Sequence, residues 1–135
     1  MSVEQTPAEE VKGTIERLIQ AGTTFDLDTL EQIYHDDLKV FMMDDQGQTM
    51  VADKTVIKAM FQSKRDNNEP TLNTWADIHN IDVSQDKAHV LISRKAKFMA
   101  QEQLYVLSID LIKTAENWQV LREVVSPRAQ LAQAA

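Results

Sequence analysis

Asp77 and His79, separated by one residue, are the clearest candidates for chemistry in this sequence. Imidazole titrates near neutral pH and a carboxylate can hold its tautomer, so the two side chains could work as an acid and base pair. Strand alternation places both on the face that carries Ile81 and Val83, provided that no bulge intervenes. The alternative is that both are solvated at the rim of a sheet or form a structural ion pair with Arg94.

Two arginines extend alternating runs of apolar residues, which places Arg94 and Arg122 on the inward faces of their strands. Arg122 needs an acidic partner, because an uncompensated buried charge costs about 3 to 5 kcal/mol. For Arg122 the partner is Asp77, another acid of the pocket, or the carboxylate of a ligand. The predicted ligand-binding residues are Tyr34, Met42, Phe61, Trp75, Arg94, Tyr105, Trp118 and Arg122. Their aromatic members also fit a plain hydrophobic core.

Several kinds of site and partner are disfavoured by composition. The chain has no cysteine, so it has no thiol nucleophile, thiolate metal site or disulfide. His79 with His35 or His89 lacks the spacing of a metal-binding motif, and we predict no metal and no cofactor. The net charge of −7 repels phosphate backbones, so nucleic acid is a poor partner.

The length of 135 residues fits one domain with a single core, and we predict an ordered region over residues 6–126 with a tail at residues 127–135. The first residues lack the basic and apolar pattern of a secretion signal, and no run of about 20 apolar residues is present. We therefore expect a cytoplasmic protein that has no membrane partner.

Three amphipathic helices are predicted in the first half of the chain. The first begins at a capping box in residues 6–9 and ends near Gly22. The second is predicted to be capped by Asp28, and the third begins at Asp53 and ends before Pro70. Their apolar stripes recur at intervals of three and four residues, as on a helix that packs on one side.

Alternating apolar residues predict strands over residues 38–43, 48–52, 72–83, 88–99, 105–113 and 118–126. Residues 94–103 have the composition of a helix, but a helix there would present a poor apolar stripe. We therefore predict a strand, a hairpin and a second strand in that region. Helices that cover one face of such a sheet place the structure in the α+β class.

Four motifs in this order carry a family resemblance: Asp28-x-Leu30-x-x-Ile33-Tyr34-x-Asp36-Asp37, the helix that begins at Asp53, Val83-x-x-Asp86-x-Ala88-x-Val90, and Trp118-x-Val120 followed by Ser126. Together they resemble the nuclear transport factor 2-like (NTF2-like) superfamily, above all its SnoaL-like and ketosteroid-isomerase-like members. The resemblance implies a cone-shaped, cystatin-like fold, in which three helices pack on a strongly curved, mostly antiparallel sheet and leave a pocket between them.

The resemblance does not recover either general base of the related enzymes. The isomerase-like base position corresponds to Met42, with Asp44 already in the turn. The cyclase-like base lies near the closing strand, where alternation places Arg122 inward and Glu123 outward. A bulge of one residue would bring Glu123 or Asp44 inward.

The opposite face of the sheet carries branched apolar residues among polar ones: Leu91, Val106, Ile112, Leu121 and Val125, with Ser93, Ser108, Gln119 and Glu123. An apolar surface of this kind indicates an interface, and superfamily members commonly pair through it. We therefore predict a homodimer that pairs sheet against sheet.

The leading hypothesis is a SnoaL-like protein that binds a small, partly apolar molecule in its cone pocket, for example an acid or phenol held by Arg122 or His79. One alternative is an isomerase, cyclase or hydrolase that uses Asp77 and His79. A third hypothesis is a dimeric interaction module without catalysis. The absent bases favour a protein that is not an enzyme.

Overall fold

The structure is a computed structural model that describes residues 5–44, 46–96, 102–115 and 117–128. Its elements, in chain order, are α1 (Pro7–Thr23), α2 (Leu27–Ile33), β1 (Tyr34–Met43), β2 (Thr49–Asp53), α3 (Lys54–Asp66), β3 (Ala76–Ser84), β4 (Lys87–Ala96), β5 (Gln103–Thr114) and β6 (Asn117–Pro127). The strands form one curved, open sheet in the order β2-β1-β6-β5-β4-β3. Only the β1–β6 pair is parallel within this described sheet. The α+β prediction is confirmed.

The helix starts follow from short-range capping. Thr6 and Glu9 form the predicted capping box, in which each side chain accepts a hydrogen bond from the other's backbone N–H. Asp53 caps α3, as predicted, by accepting a hydrogen bond from the backbone N–H of Val56. The predicted cap of α2 is wrong: Asp26 accepts a hydrogen bond from the N–H of Thr29 at 3.2 Å, and Asp28 lies in the first helical turn.

Two strands begin elsewhere than predicted. β1 begins at Tyr34 rather than residue 38, because Tyr34 already pairs with Val120 of β6. β3 begins at Ala76 rather than residue 72, because the N–H of Leu72 donates to the carbonyl of Thr23 at 3.0 Å instead of to a strand. The predicted end of β4 at residues 97–99 and the first two residues of the predicted turn, 100 and 101, lie outside the described residues. The two strands pair antiparallel, as predicted, up to Ala96 and Gln103, so β5 begins two residues before the predicted start at residue 105.

The core lies between the helices and the concave face of the sheet. Helix α1 contributes a stripe that includes Val11, Ile15 and Leu18, at the spacing of one helical face. These side chains pack in one cluster with alternate residues of the strands, among them Val90 and Leu107. The helices therefore cover one face of the sheet only.

Two irregularities reverse the alternation of side chains. In β3, Ile78 pairs with Ile92 while Asn80 pairs with Leu91, so His79 is an extra residue. In β6 one residue is likewise inserted opposite β5: Asp110 pairs with Arg122 and Leu111 with Val120, so Leu121 is extra. Residues on the two sides of each bulge therefore follow opposite parity, which decides the composition of the cavity.

Candidate functional site

A cavity lies between α1, α3 and the concave face of the sheet, at the end where Leu72 passes over it. About 50 Å³ of it admits the centre of a water molecule, which is room for roughly three to five waters. The described wall is mostly apolar: Ile15, Leu18, Ile19, Gly22, Thr23, Tyr34, Phe61, Leu72, Ile92, Arg94, Ala96, Leu107, Ile109 and Glu123. A mostly apolar space with two charged groups in its wall is the arrangement expected of a small-molecule site.

Glu123 is the acid of this cavity. The extra residue Leu121 turns Glu123 to the concave face, and the side chain is 6% exposed. Its Oε2 atom has no hydrogen-bond partner. Burial raises the pKa of Glu123 to about 7, although the positive charge of Arg94 acts in the opposite direction. The carboxyl group therefore changes charge near neutral pH.

Arg94 carries the positive charge in the wall of this cavity. Its Nη2 donates to the carbonyl oxygen of Asn73 at 2.9 Å, which fixes the guanidinium, while its buried Nε atom has no hydrogen-bond partner. Burial lowers the pKa of Arg94, and the negative charge of Glu123 opposes that effect. No ion pair within 4.0 Å joins the two groups, both of which belong to the described part of the chain.

Tyr34 adds a phenol to the wall. It is buried at the start of β1, and burial followed by the charge of Glu123 raises the pKa of its hydroxyl well above the ordinary value. Tyr34, Phe61 and Arg94 line the cavity, as predicted from the sequence. Their part in binding a ligand stays a prediction.

The other predicted ligand-binding residues lie away from the described cavity wall. Met42 and Tyr105 are buried in the core cluster. Trp118 is also buried, and its Nε1 donates to Glu10 at 3.2 Å beside a separate open groove. Trp75 is 42% exposed because it precedes β3, and Lys95 lies 5.2 Å from its ring centroid. These placements correct the predicted pocket.

Arg122 was predicted to face inward, and this prediction is wrong. The bulge at Leu121 turns Arg122 to the outer face, where it is exposed and lies 5.9 Å from the ring centroid of Phe41. The same bulge turns the side chain of Glu123 to the inner face in place of Arg122. The inward charge on the closing strand is therefore negative rather than positive.

Asp77 and His79 were also predicted to face inward, and the bulge at His79 makes this wrong. Ala76 and Ile78 pack against the core, while the side chains of Asp77 and His79 are 61% and 41% exposed. His79 Nε2 lies 2.6 Å from the Oγ atom of Ser93, but His79 Nδ1 lies 3.8 Å from Asp77 Oδ2, beyond hydrogen-bond distance. The pair is not enclosed as proton transfer in a pocket requires.

Glu123 is the residue that sequence reasoning assigned to the wrong face. The sequence carried one signal for it, an acid in the closing strand, together with the condition that a bulge would turn it inward. Across the described residues, no three histidine, aspartate or glutamate side chains are grouped as a metal ion would need. No described helix is long and apolar enough to cross a membrane.

Comparison with known proteins agrees with this architecture. A family model described as "Putative lumazine-binding" matches residues 6–125. An NTF2-like protein from Cytophaga hutchinsonii superposes with a TM-score of 0.76 at 17% identity, over 92% of this chain and all of that chain. An NTF2-like protein of unknown function from Silicibacter pomeroyi gives 0.74 at 16% identity, with the same two coverages.

A domain of unknown function with a cystatin-like fold from Nostoc punctiforme gives a TM-score of 0.70 at 13% identity, over 97% of this chain and 83% of that chain. No curated protein matches the chain. At these identities the structural matches establish the fold alone.

Proposed function

This chain belongs to the "Putative lumazine-binding" family and has the NTF2-like fold, and on that premise we propose that its cavity binds a small, partly apolar molecule. The observation that carries the proposal is the buried carboxyl group of Glu123, which meets the cavity without a hydrogen-bond partner. The family description supports a ligand of heterocyclic type.

The energetics of the two charged groups support a binding role. A buried polar group without a partner costs about 1 to 3 kcal/mol, and more if it is charged. Glu123 Oε2 and Arg94 Nε both lack a hydrogen-bond partner within the protein. Water or a ligand in the cavity would supply the missing partners, so occupancy lowers the free energy of the folded state.

The cavity size limits the ligand. Space for roughly three to five waters suits a single small ring, whereas a fused bicyclic ring requires a wall residue to move. Phe61 and Leu72 are the large wall residues that lie outside both the sheet and α1. Leu72 lies in the irregular segment before β3, where side chains rearrange more readily than in a strand.

A blocked cavity tests the proposal. A Cβ atom on Gly22 would lie 3.7 Å from the ring of Phe61, while one on Gly13, in the same helix, would meet nothing within 4 Å. Gly22→Leu therefore extends a side chain toward the cavity, and Gly13→Leu is its matched control. Phenol and lumazine are titrated against each protein while methyl NMR signals of Ile92 and Leu107 are followed. We expect saturable shifts in the wild type and in Gly13→Leu, and their loss in Gly22→Leu.

Equal shifts in Gly22→Leu, or no binding of either compound to the wild type, would contradict the proposal. Thermal unfolding of all three proteins is the folding control. It separates a filled cavity from a damaged helix, since both substitutions replace a helical glycine by leucine.

Proton transfer by Glu123 is a second candidate function. A carboxyl group with a pKa near 7 is matched to general acid and base catalysis at neutral pH. Exchange of the α protons of a small ketone with deuterium, followed by NMR, tests it. Exchange catalysed by the wild type should disappear in Glu123→Gln, and exchange at equal rates in both proteins would exclude this role.

We also propose a homodimer through the outer face of the sheet. A partly exposed row of mainly apolar residues crosses five strands in register: Leu91, Ser108, Val124, Phe41 and Val51. Val125 and Glu123, which were predicted on this face, point inward instead, and Val124 takes the outward place. A mainly apolar row without charge supports burial against a second copy.

Light scattering after size-exclusion chromatography tests the dimer. Val124→Lys should give a monomer at micromolar concentration, while Val56→Lys on the exposed side of α3 should stay a dimer. A monomeric wild type would refute the proposal.

The predicted single domain and the cytoplasmic location stay predictions.

A further inference from the structure

The cavity wall carries one unused acceptor and one unused donor. Glu123 Oε2 accepts no hydrogen bond, and Arg94 Nε, although buried, donates none. The two charges influence each other, yet no ion pair within 4.0 Å joins these two described side chains. The cavity therefore separates two complementary groups that the protein itself leaves unpaired.

The backbone of Asn73 holds the guanidinium of Arg94. Its carbonyl oxygen accepts a hydrogen bond from Arg94 Nη2 at 2.9 Å, and its own Oδ1 accepts one from the N–H of Trp75 at 2.7 Å. The guanidinium is thus held from outside the cavity, while its buried Nε has no hydrogen-bond partner. A fixed donor of this kind favours a ligand of defined shape, because little side-chain freedom is lost on binding.

Each simple class of ligand satisfies at most one of the two groups. Above pH 7, where Glu123 is ionised, a carboxylate or phosphate would pair with Arg94 but place a second negative charge beside Glu123. An ammonium ion would pair with Glu123 but repel Arg94. An apolar molecule would satisfy neither group, and it would displace water that can satisfy both. Only a neutral molecule with a donor and an acceptor leaves no charge unpaired.

We infer that the ligand presents an N–H donor and a carbonyl acceptor side by side on one ring edge, as a lactam or cyclic imide does, with the N–H on Glu123 and the carbonyl on Arg94. This inference rests on the proposed function and names the ligand class. The remainder of the ring meets aliphatic wall residues such as Ile15, Ile92 and Leu107. A single six-membered ring suits the size of the cavity.

Four small probes separate the possibilities: 2-pyridone, which has the lactam edge, N-methyl-2-pyridone, which lacks the donor, benzoate, which is an anion, and benzene, which has no polar edge. Each is titrated into the full-length protein at pH 8, with methyl NMR of Ile92 and Leu107 to locate binding. We expect 2-pyridone to bind at least tenfold more tightly than its N-methyl analogue, since a hydrogen bond to a charged group is lost.

Two variants test the assignment of roles. Glu123→Leu removes the buried acid without opening a space, so it should fold, retain benzene binding and bind 2-pyridone and its N-methyl analogue equally. Arg94→Met should weaken both pyridones by a similar factor, because the carbonyl contact is common to them. Thermal unfolding monitors the fold of each variant.

The outcomes are distinguishable. Tighter binding of benzoate than of 2-pyridone, or equal affinities of the two pyridones for the wild type, overturns the lactam inference. In that case benzene binding at Ile92 and Leu107 would leave the proposed function standing. Failure of every probe to bind in the cavity overturns both. An affinity ratio that persists in Glu123→Leu refutes the role given to Glu123.

Discussion

The buried carboxyl group of Glu123 should give this protein an inverted dependence of stability on pH. Its pKa is raised from the ordinary value of 4.5 to about 7, chiefly by burial, with Arg94 opposing. Between these two values the folded protein holds a proton that the unfolded chain has released. The free energy of unfolding therefore falls as the pH rises from 4.5 to 7 and levels off above 7.

The magnitude follows from the difference between the two pKa values. One pKa unit corresponds to 1.36 kcal/mol, so about 3 kcal/mol of stability is lost across this range. For a chain of 135 residues this equals a decrease in melting temperature of about 10 °C. Glu123→Gln keeps the shape of the side chain but cannot ionise, so the variant should be the more stable protein at pH 8.

Urea unfolding of the wild type and of Glu123→Gln at pH 5, 6, 7 and 8 measures the effect. Subtraction of the two curves removes the contributions of all other titrating groups, including the three histidines. We expect the advantage of the variant to increase by about 2 to 3 kcal/mol between pH 5 and pH 8. A difference that stays constant with pH would refute the burial of an ionisable Glu123.

Arg94→Met provides the control for the electrostatic partner. Without the guanidinium, the pKa of Glu123 should rise further, because only the effect of burial remains. The decline in stability should then extend to a higher pH than in the wild type. An unchanged midpoint would show that Arg94 does not act on Glu123.

Three further predictions follow from the packing and the caps. Asp26→Ala should cost about 1 kcal/mol in urea unfolding and Asp28→Ala only a few tenths, since Asp26 accepts the capping hydrogen bond; equal costs would contradict the assigned cap. Phe61→Ala should cost about 3 to 5 kcal/mol and Val56→Ala less than about 0.5, because Phe61 is buried and Val56 is 52% exposed; a small cost for Phe61 would contradict its place in the core. Two lysines of α3 lower the pKa of Glu31 to about 2, so Glu31→Gln should lose stability above pH 4.5 and match the wild type as the pH falls toward 2; a loss that persists at pH 2 would exclude this ion pair as its cause.

The capping signals and the strand pattern predicted most of the architecture. Thr6 and Asp53 start their helices as predicted, because a cap depends on residues within one turn. Arg94 also faces inward as predicted, because β4 pairs with β5 without an irregularity. In these places local sequence and local structure agree.

The predicted site failed where strand alternation was carried across a bulge. Asp77 and His79 lie outward because His79 is an extra residue in β3. Arg122 and Glu123 exchange faces because Leu121 is an extra residue in β6. Trp75 does not line the cavity for another reason. The segment that contains it is hydrogen-bonded to α1 through the N–H of Leu72 and does not join β3.

The sequence by itself determined the three helices, the mostly antiparallel sheet and the resemblance to NTF2-like proteins, since these depend on caps and on hydrophobic period. Only the tertiary structure decided which charge of the closing strand faces the cavity. The position of a bulge is set by pairing with a neighbouring strand distant in sequence, and one inserted residue moves every later side chain to the other face. In this protein the extra residue Leu121 turns Glu123, rather than Arg122, toward the cavity.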